Sequence, residues 1–165
     1  MSRPPQWPIS LLTASIFSLP YDTDDDDLID DYEPFKTVHF LSHAQAAHDT
    51  DPNGKESDEY VDARLTDMGK TQCRTVAKPI AKSRKGSIPH DLLISADLLA
   101  ASPLTRSITT LLRTLKPILA ARPDTHLLAH EYLCGAVRYP CDRRRSVAAL
   151  ASDFPILQFD LVPNH

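Results

Sequence analysis

No run of eighteen or more apolar residues occurs in the chain, which excludes a membrane-spanning helix. Cysteine is scarce. Cys73, Cys134 and Cys141 form no CxxC pair and leave an odd thiol, so the pattern supports neither a zinc site nor a disulfide framework and fits a reducing compartment. An excess of basic charge is also missing: the formal net charge is -4 and the sequence pI about 5.9, which argues against binding that works by neutralising nucleic-acid phosphates. DNA, RNA and membranes are not expected partners. No small-residue cleavage pattern follows the moderately apolar stretch from Trp7 to Leu19, which Pro8 interrupts. That stretch reads as an N-terminal extension rather than a secretory leader, and the cytoplasm is the expected address. No internal repeat is visible, and neither a cofactor nor a metal is expected.

What is present suits one globular unit: 165 residues, 42% of them hydrophobic and 24% charged, with mean hydropathy -0.28. The charge is unevenly placed. Eight acidic residues and no basic one lie between Asp22 and Glu33, whereas residues 34 to 165 hold all but one of the 18 basic residues against 14 acidic, a net of +3. A mildly cationic body can attract a small anion if its arginines converge. Residues 1–34, rich in proline, serine and then aspartate, read as an N-terminal extension with an acidic linker, and 35–165 as the folded domain. The aspartate run lacks the central glycine and the terminal glutamate of a calcium loop, so a solvated linker is the expectation.

Lys36 to Leu41, with its β-branched and aromatic residues, predicts a buried strand. A polar loop with Asp-Pro-Asn-Gly at 51 to 54 follows, and Thr66 then caps a helix expected from about Asp67 to Arg84, with Pro79 kinking or shortening it. Leu92 to Ser95 predicts a second strand. A second helix beginning near Pro103 carries Leu104, Ile108, Leu111, Leu112, Leu115, Ile118 and Leu119 at helical spacing, a core stripe. His126 to Ala129 predicts a third strand. The β-α-β-α-β order implies an α/β fold, a parallel sheet with helices on its faces.

In such a fold the ligand crevice lies beyond the carboxyl ends of the strands. Ser42, His43, Ala44, Gln45, His48 and Asp49 follow the first predicted strand, Ser102 to Arg106 follow the second, and His130 and Glu131 follow the third. A histidine, an arginine and a glutamate are thereby expected at one sheet edge. Arg143, Arg144 and Arg145 read as an exposed basic patch, and the three thiols as packing residues.

These residues resemble a known family. Phe40-Leu41-Ser42-His43-Ala44-Gln45 with His48 is similar to the strand and Arg-His-Gly or Arg-His-Ala signature of the histidine phosphatase superfamily, the phosphoglycerate mutase-like proteins. Leu65-Thr66 with Gly69 and Gln72 resembles that family's helix start, and Ser102-Pro103-Leu104 with Arg106 and Thr110 its "SPL.R...T" segment. Pro140 to Ser146 resembles a further motif of fungal and plant-like members. Four motifs in the family order, between about Lys36 and Pro155, carry the resemblance and point to a fungal-type group. It implies attack on a phosphate monoester by His43, clamping of the phosphoryl group by Arg106, and protonation of the leaving oxygen by Glu131, with Ser42, His48 and Asp49 lining the substrate site. Histidine suits the role because its neutral ring nitrogen is nucleophilic near neutral pH.

The chain also departs from the pattern. Ser42 stands where the family has arginine, and loss of one such donor typically costs about a hundred- to a thousandfold in rate. Thr109 replaces a glutamine, Asp49 an asparagine, and His130 an arginine frequent in fungal relatives. The family's second catalytic histidine follows a later helix and strand, and His165, which is terminal, is not given that role. The resemblance therefore implies a three-layer parallel-sheet phosphoglycerate mutase-like fold, truncated after the third strand region. The expected function is that of a phosphatase of small phosphorylated metabolites, with its catalysis weakened. Two alternatives accompany it: a noncatalytic accessory or binding protein in a fungal pathway, secondary metabolism included, and a structural partner that completes its sheet with another chain.

Overall fold

A computed structural model of the chain describes residues 11–16, 36–82, 96–134 and 137–164. They fall into two compact units, one within Ser10–Ser42 and one from His43 onward. The Asp22 to Asp31 run and the strand expected at Leu92 to Ser95 lie outside the described residues.

In the smaller unit, β1 (Leu11–Ile16) pairs antiparallel with β2 (Lys36–Leu41), Leu11 opposite Leu41 and Ile16 opposite Lys36. β2 forms where the β-branched and aromatic residues predicted it, but it is not buried as expected: Phe40 is exposed and Val38, His39 and Leu41 are half-buried. The partner of β2 also differs from the expectation: among the described residues it pairs with β1, antiparallel, in this hairpin. Strand propensity describes how a segment fits a pleated surface and is silent about which strand lies beside it.

The larger unit begins with a loop and the 3-10 turns Ala47–Thr50 and Asp58–Tyr60, then α1 (Asp67–Ala81). Thr66 caps α1 as expected, its hydroxyl accepting from the Gly69 N–H at 3.0 Å. Pro79 has no N–H to continue the ladder, and the helix stops two residues later. The second helical stretch is broken in two, α2 (Thr105–Thr114) and α3 (Lys116–Ala121), because Pro117 cannot donate to the carbonyl four residues before it. Five residues of the predicted stripe are core, Leu104, Ile108, Leu111, Leu115 and Ile118, while Leu112 and Leu119 are half-buried. α1 packs on α2 and α3, and α2 on the sheet.

That sheet has three parallel strands in the order β3 (Leu98–Ala101), β4 (His126–His130) and β5 (Gln158–Leu161). β4 lies where it was predicted. β3 arises from a Leu-Leu-Ala-Ala segment without β-branched residues, and burial of Leu99 and Ala101 outweighs its weak local preference. The chain also continues past the third expected strand, through α4 (Val147–Asp153), capped by the Ser146 hydroxyl, into β5. The larger unit is thus an α/β fold in which β3, β4 and β5 run in one direction. Among the described residues no helix is long and apolar enough to cross a membrane.

Candidate functional site

The loop after His43 is built from small residues because there is no room for larger ones. Ala44 and Ala46 are wholly buried and pack with Ala63, Leu65 and Cys73. Three motif residues hold the backbone between them: the Gln45 N–H donates to Gln72 Oε1 at 2.9 Å, the Thr66 N–H to the Gln45 carbonyl at 3.0 Å, and the Thr66 hydroxyl to Gln45 Oε1 at 2.7 Å. Gly69 is required for the same approach, since a Cβ there would stand 2.1 Å from the Gln45 carbonyl oxygen. A fourth tie comes from α2, where Thr110 Oγ1 accepts from the Ala44 N–H at 3.0 Å. Loop, α1 and α2 therefore fix the backbone beside His43.

The His43 ring makes one bond that decides its chemistry. Nδ1 lies 2.8 Å from the Ala44 carbonyl oxygen, and a carbonyl only accepts, so Nδ1 carries the hydrogen and the neutral ring keeps its lone pair on Nε2. Burial holds the imidazole below its ordinary value of 6.5, against the opposing pull of the Ala44 carbonyl, and the positive charge of Arg106 acts in the same direction as burial. The His48 ring lies 5.8 Å from that of His43, centroid to centroid. His48 is buried. Its Nε2 is 3.1 Å from Asp49 Oδ1, while Asp49 Oδ2 accepts from the Ala46 N–H at 2.8 Å. Burial raises the Asp49 carboxyl, but its bonds from His48 and Ala46 outweigh this and hold it below the usual carboxylate range. Asp49 thus braces its own turn and orients His48.

Arg106, in the first turn of α2, is 5% exposed. Its Nη1 donates to the Cys141 carbonyl, its Nη2 lies 3.3 Å from Asp142 Oδ1, and its buried Nε has no protein partner. Beyond β4, Glu131 Oε2 accepts from Arg144 Nε at 2.9 Å, and Arg144 Nη2 reaches the Pro163 carbonyl just past β5 at 2.6 Å. Ser102, directly after β3, bonds Cys134 Sγ at 3.2 Å. The Cys134 thiol is pushed up by burial and is within the electrostatic reach of Glu131, Arg144 and Arg106. Polar groups following all three parallel strands are gathered at one end of the sheet, as the fold class requires. Beneath them, Asp62 is almost wholly buried at φ 49°, a conformation aspartate tolerates. It accepts from the Thr105 N–H at 2.7 Å and from Arg145 Nε at 2.7 Å, so it caps α2 from a distant loop.

Comparison with known proteins adds one relative. The chain is similar to a phosphoglycerate mutase-like protein of Arabidopsis thaliana. The two are 26% identical over 156 residues, covering 77% of this chain and 55% of that protein. The chain thus spans about half the length of the curated relative it matches. No family profile matches the chain, and no solved structure does. The βαβ order around a parallel sheet is consistent with an α/β phosphoglycerate mutase-like fold.

The six residues proposed from sequence sort as follows. His43, His48, Asp49 and Arg106 are linked by ring contact, ion pairing and electrostatic interaction. Glu131 stands past β4 but is held by Arg144. Ser42 is exposed and belongs to the hairpin unit. The expected basic patch is corrected. Arg144 and Arg145 are largely withdrawn from solvent into ion pairs with Glu131, Asp62 and Asp153, and exposed Arg143 pairs with Asp58. Sequence reasoning missed Asp62, Asp142 and Arg145 as organisers. The signal for Asp142 lay in the Pro140 to Ser146 motif, but no local spacing links Asp62 to a helix that begins 43 residues later. Cys73 and Cys141 are buried, as packing residues would be. Among the described residues no group of three or more His, Cys, Asp or Glu side chains is arranged to hold a metal ion.

Proposed function

We propose that the chain is a phosphoglycerate mutase-like protein, of the fungal-type group its Pro140 to Ser146 motif resembles, that accepts a phosphoryl group from a small phosphorylated metabolite on His43. The observation that carries this reading is the bond from His43 Nδ1 to the Ala44 carbonyl, which leaves Nε2 as the nucleophilic atom, in a ring that burial and Arg106 keep neutral. Nε2 attacks phosphorus, the P–N bond forms as the P–O bond to the leaving group breaks, and the leaving oxygen takes a proton. Water then attacks the phosphohistidine, returning inorganic phosphate and the neutral ring. Arg106 offers its unpartnered Nε to a phosphoryl oxygen. For Glu131 to protonate the leaving oxygen, its carboxylate must first part from Arg144 and take up a proton from solvent, which it then passes on. The test is hydrolysis of an aryl phosphate at mildly acidic to neutral pH, with trapping of acid-labile phosphohistidine. Wild type is expected to turn over and His43→Ala to be inactive. Turnover no higher than that of His43→Ala overturns the reading.

A second reading, a noncatalytic module that binds a small anion, is favoured by the commitment of the arginines. Arg106 and Arg144 already hold protein groups, and Ser42 stands where the family has arginine. Saturable phosphate binding without turnover selects this reading.

A further inference from the structure

Arg106 is a buried cation, and a buried cation needs a counter-charge. The carboxylate in contact with it belongs to Asp142, and the contact is loose: 3.3 Å through a single oxygen, against 2.9 Å for Arg144 with Glu131 and 2.7 Å for Arg145 with Asp62. Strong charge-assisted bonds are shorter, near 2.7–2.9 Å. Of these three pairs, each with an arginine at least two-thirds withdrawn from solvent, this one is the easiest to part.

The edge of the guanidinium it occupies is also informative. Nε and Nη2 form one two-pronged edge, the geometry that receives two oxygens of a carboxylate or phosphate together. Asp142 Oδ1 takes Nη2 alone, and Nε is left buried without a partner. An oxyanion that used both prongs would need the Nη2 position that Asp142 holds. Asp142 and a phosphate dianion would then meet at one cation, where like charges in a partly buried setting repel strongly.

The remaining bonds of Asp142 show what its departure would release. Its Oδ2 accepts from the backbone N–H groups of Arg138 at 3.3 Å and Tyr139 at 3.2 Å, and Oδ1 also takes the Cys141 thiol at 3.7 Å. All three are long. The turn Pro140–Asp142 is otherwise anchored to Arg106 by the Cys141 carbonyl, which is a neutral acceptor and does not compete with an anion.

The geometry points to Asp142 as a built-in counter-anion that sets the affinity of the Arg106 site: it neutralises the guanidinium in the empty protein and is displaced from Nη2 when a phosphate-like dianion binds. This rests on the reading of Arg106 as an anion-binding residue and adds the residue that opposes binding there.

The test is calorimetric titration with inorganic phosphate near neutral pH, comparing wild type with Asp142→Asn and with Asp124→Asn. Asp124→Asn makes the same charge change at an exposed residue outside the site. Asp142→Asn is expected to bind phosphate about tenfold more tightly, with Asp124→Asn unchanged. In wild type, phosphate is expected to speed hydrogen exchange at the Arg138 and Tyr139 amides, which lose their acceptor. Unchanged or weaker binding by folded Asp142→Asn overturns the proposal, as does an equal gain in Asp124→Asn. If Asp142→Asn does not fold, unchanged exchange at the two amides in wild type overturns it. If none of the three proteins binds phosphate, both this proposal and the anion-site reading are overturned, whereas binding by wild type without the expected gain overturns this proposal alone.

Discussion

Thr110 ties the helix that carries Arg106 to the loop that carries His43. Its hydroxyl accepts from the Ala44 N–H at 3.0 Å and donates to the Arg106 carbonyl at 2.7 Å, and all of these groups are buried. One side chain thereby fixes the backbone whose carbonyl sets the His43 tautomer. Thr110→Val keeps the shape and removes the acceptor, leaving a buried N–H unsatisfied, which costs about 1–3 kcal/mol. Urea denaturation should show that loss, and Thr110→Ser should recover part of it. Equal stability of wild type and Thr110→Val would mean the bond is not carrying the loop.

The pH dependence of His43 follows from its burial. Its folded-state value lies below 6.5, so between 6.5 and that lower value the unfolded chain holds more protons than the folded one. Stability therefore falls as pH drops below 6.5, and the loss is complete once the folded ring also titrates. His43→Asn should flatten that part of the stability curve. An imidazole NMR titration of wild type should give a midpoint below 6.5, and a midpoint at or above it would contradict the desolvated, Arg106-facing environment.

Gly69 is the tightest point between α1 and the loop. Gly69→Ala drives a methyl group against the Gln45 backbone, which cannot rotate away as a side chain can. The overpacking is expected to cost about 1–3 kcal/mol, even though alanine is the better helix former. Thermal unfolding compared with Lys70→Ala, one residue on, separates the steric effect from helix propensity, because only Gly69→Ala should be destabilised beyond its propensity.

Asp62 is a buried carboxylate that joins two elements by capping α2 and pairing with Arg145, itself about one-third exposed. Removing one member of a buried pair costs about 3–5 kcal/mol where it strands the other, and because Arg145 is partly exposed and keeps Asp153, this case falls near the lower figure. Asp62→Asn, Arg145→Gln and their combination, measured by denaturant unfolding, should show strong non-additivity. Additive losses would assign the cost to the α2 cap alone.

The parts of this fold that could be read in advance are those in which the interacting residues lie close in sequence. Thr66 and Gly69 are three residues apart and make a cap that any reader of helix signals finds. The stripe from Leu104 to Ile118 has helical spacing, and five of its residues are buried accordingly. β3 was not legible, because leucine and alanine favour a helix and only burial of Leu99 and Ala101 against neighbours makes the segment a strand. Ser146 before an apolar segment was a usable sign of α4, whereas β5 offered little beyond Phe159.

The site divides in the same way. The sequence by itself put forward His43, Arg106 and Glu131 as candidates and placed them after strands or at the opening of a helix, because motif order and periodicity are properties of the chain. Only the tertiary structure decided what each is bound to. Arg106 meets the Cys141–Asp142 turn 35 residues away, Arg145 meets Asp62 at a separation of 83, and Arg144 reaches across to the end of β5. The run Arg143 to Arg145 looks like a solvated patch because the one acid beside it in sequence, Asp142, cannot answer three charges and is paired with Arg106 instead. Folding brings Asp58, Asp62, Glu131 and Asp153 to it, since a guanidinium withdrawn from water must find an oxygen wherever the chain can supply one.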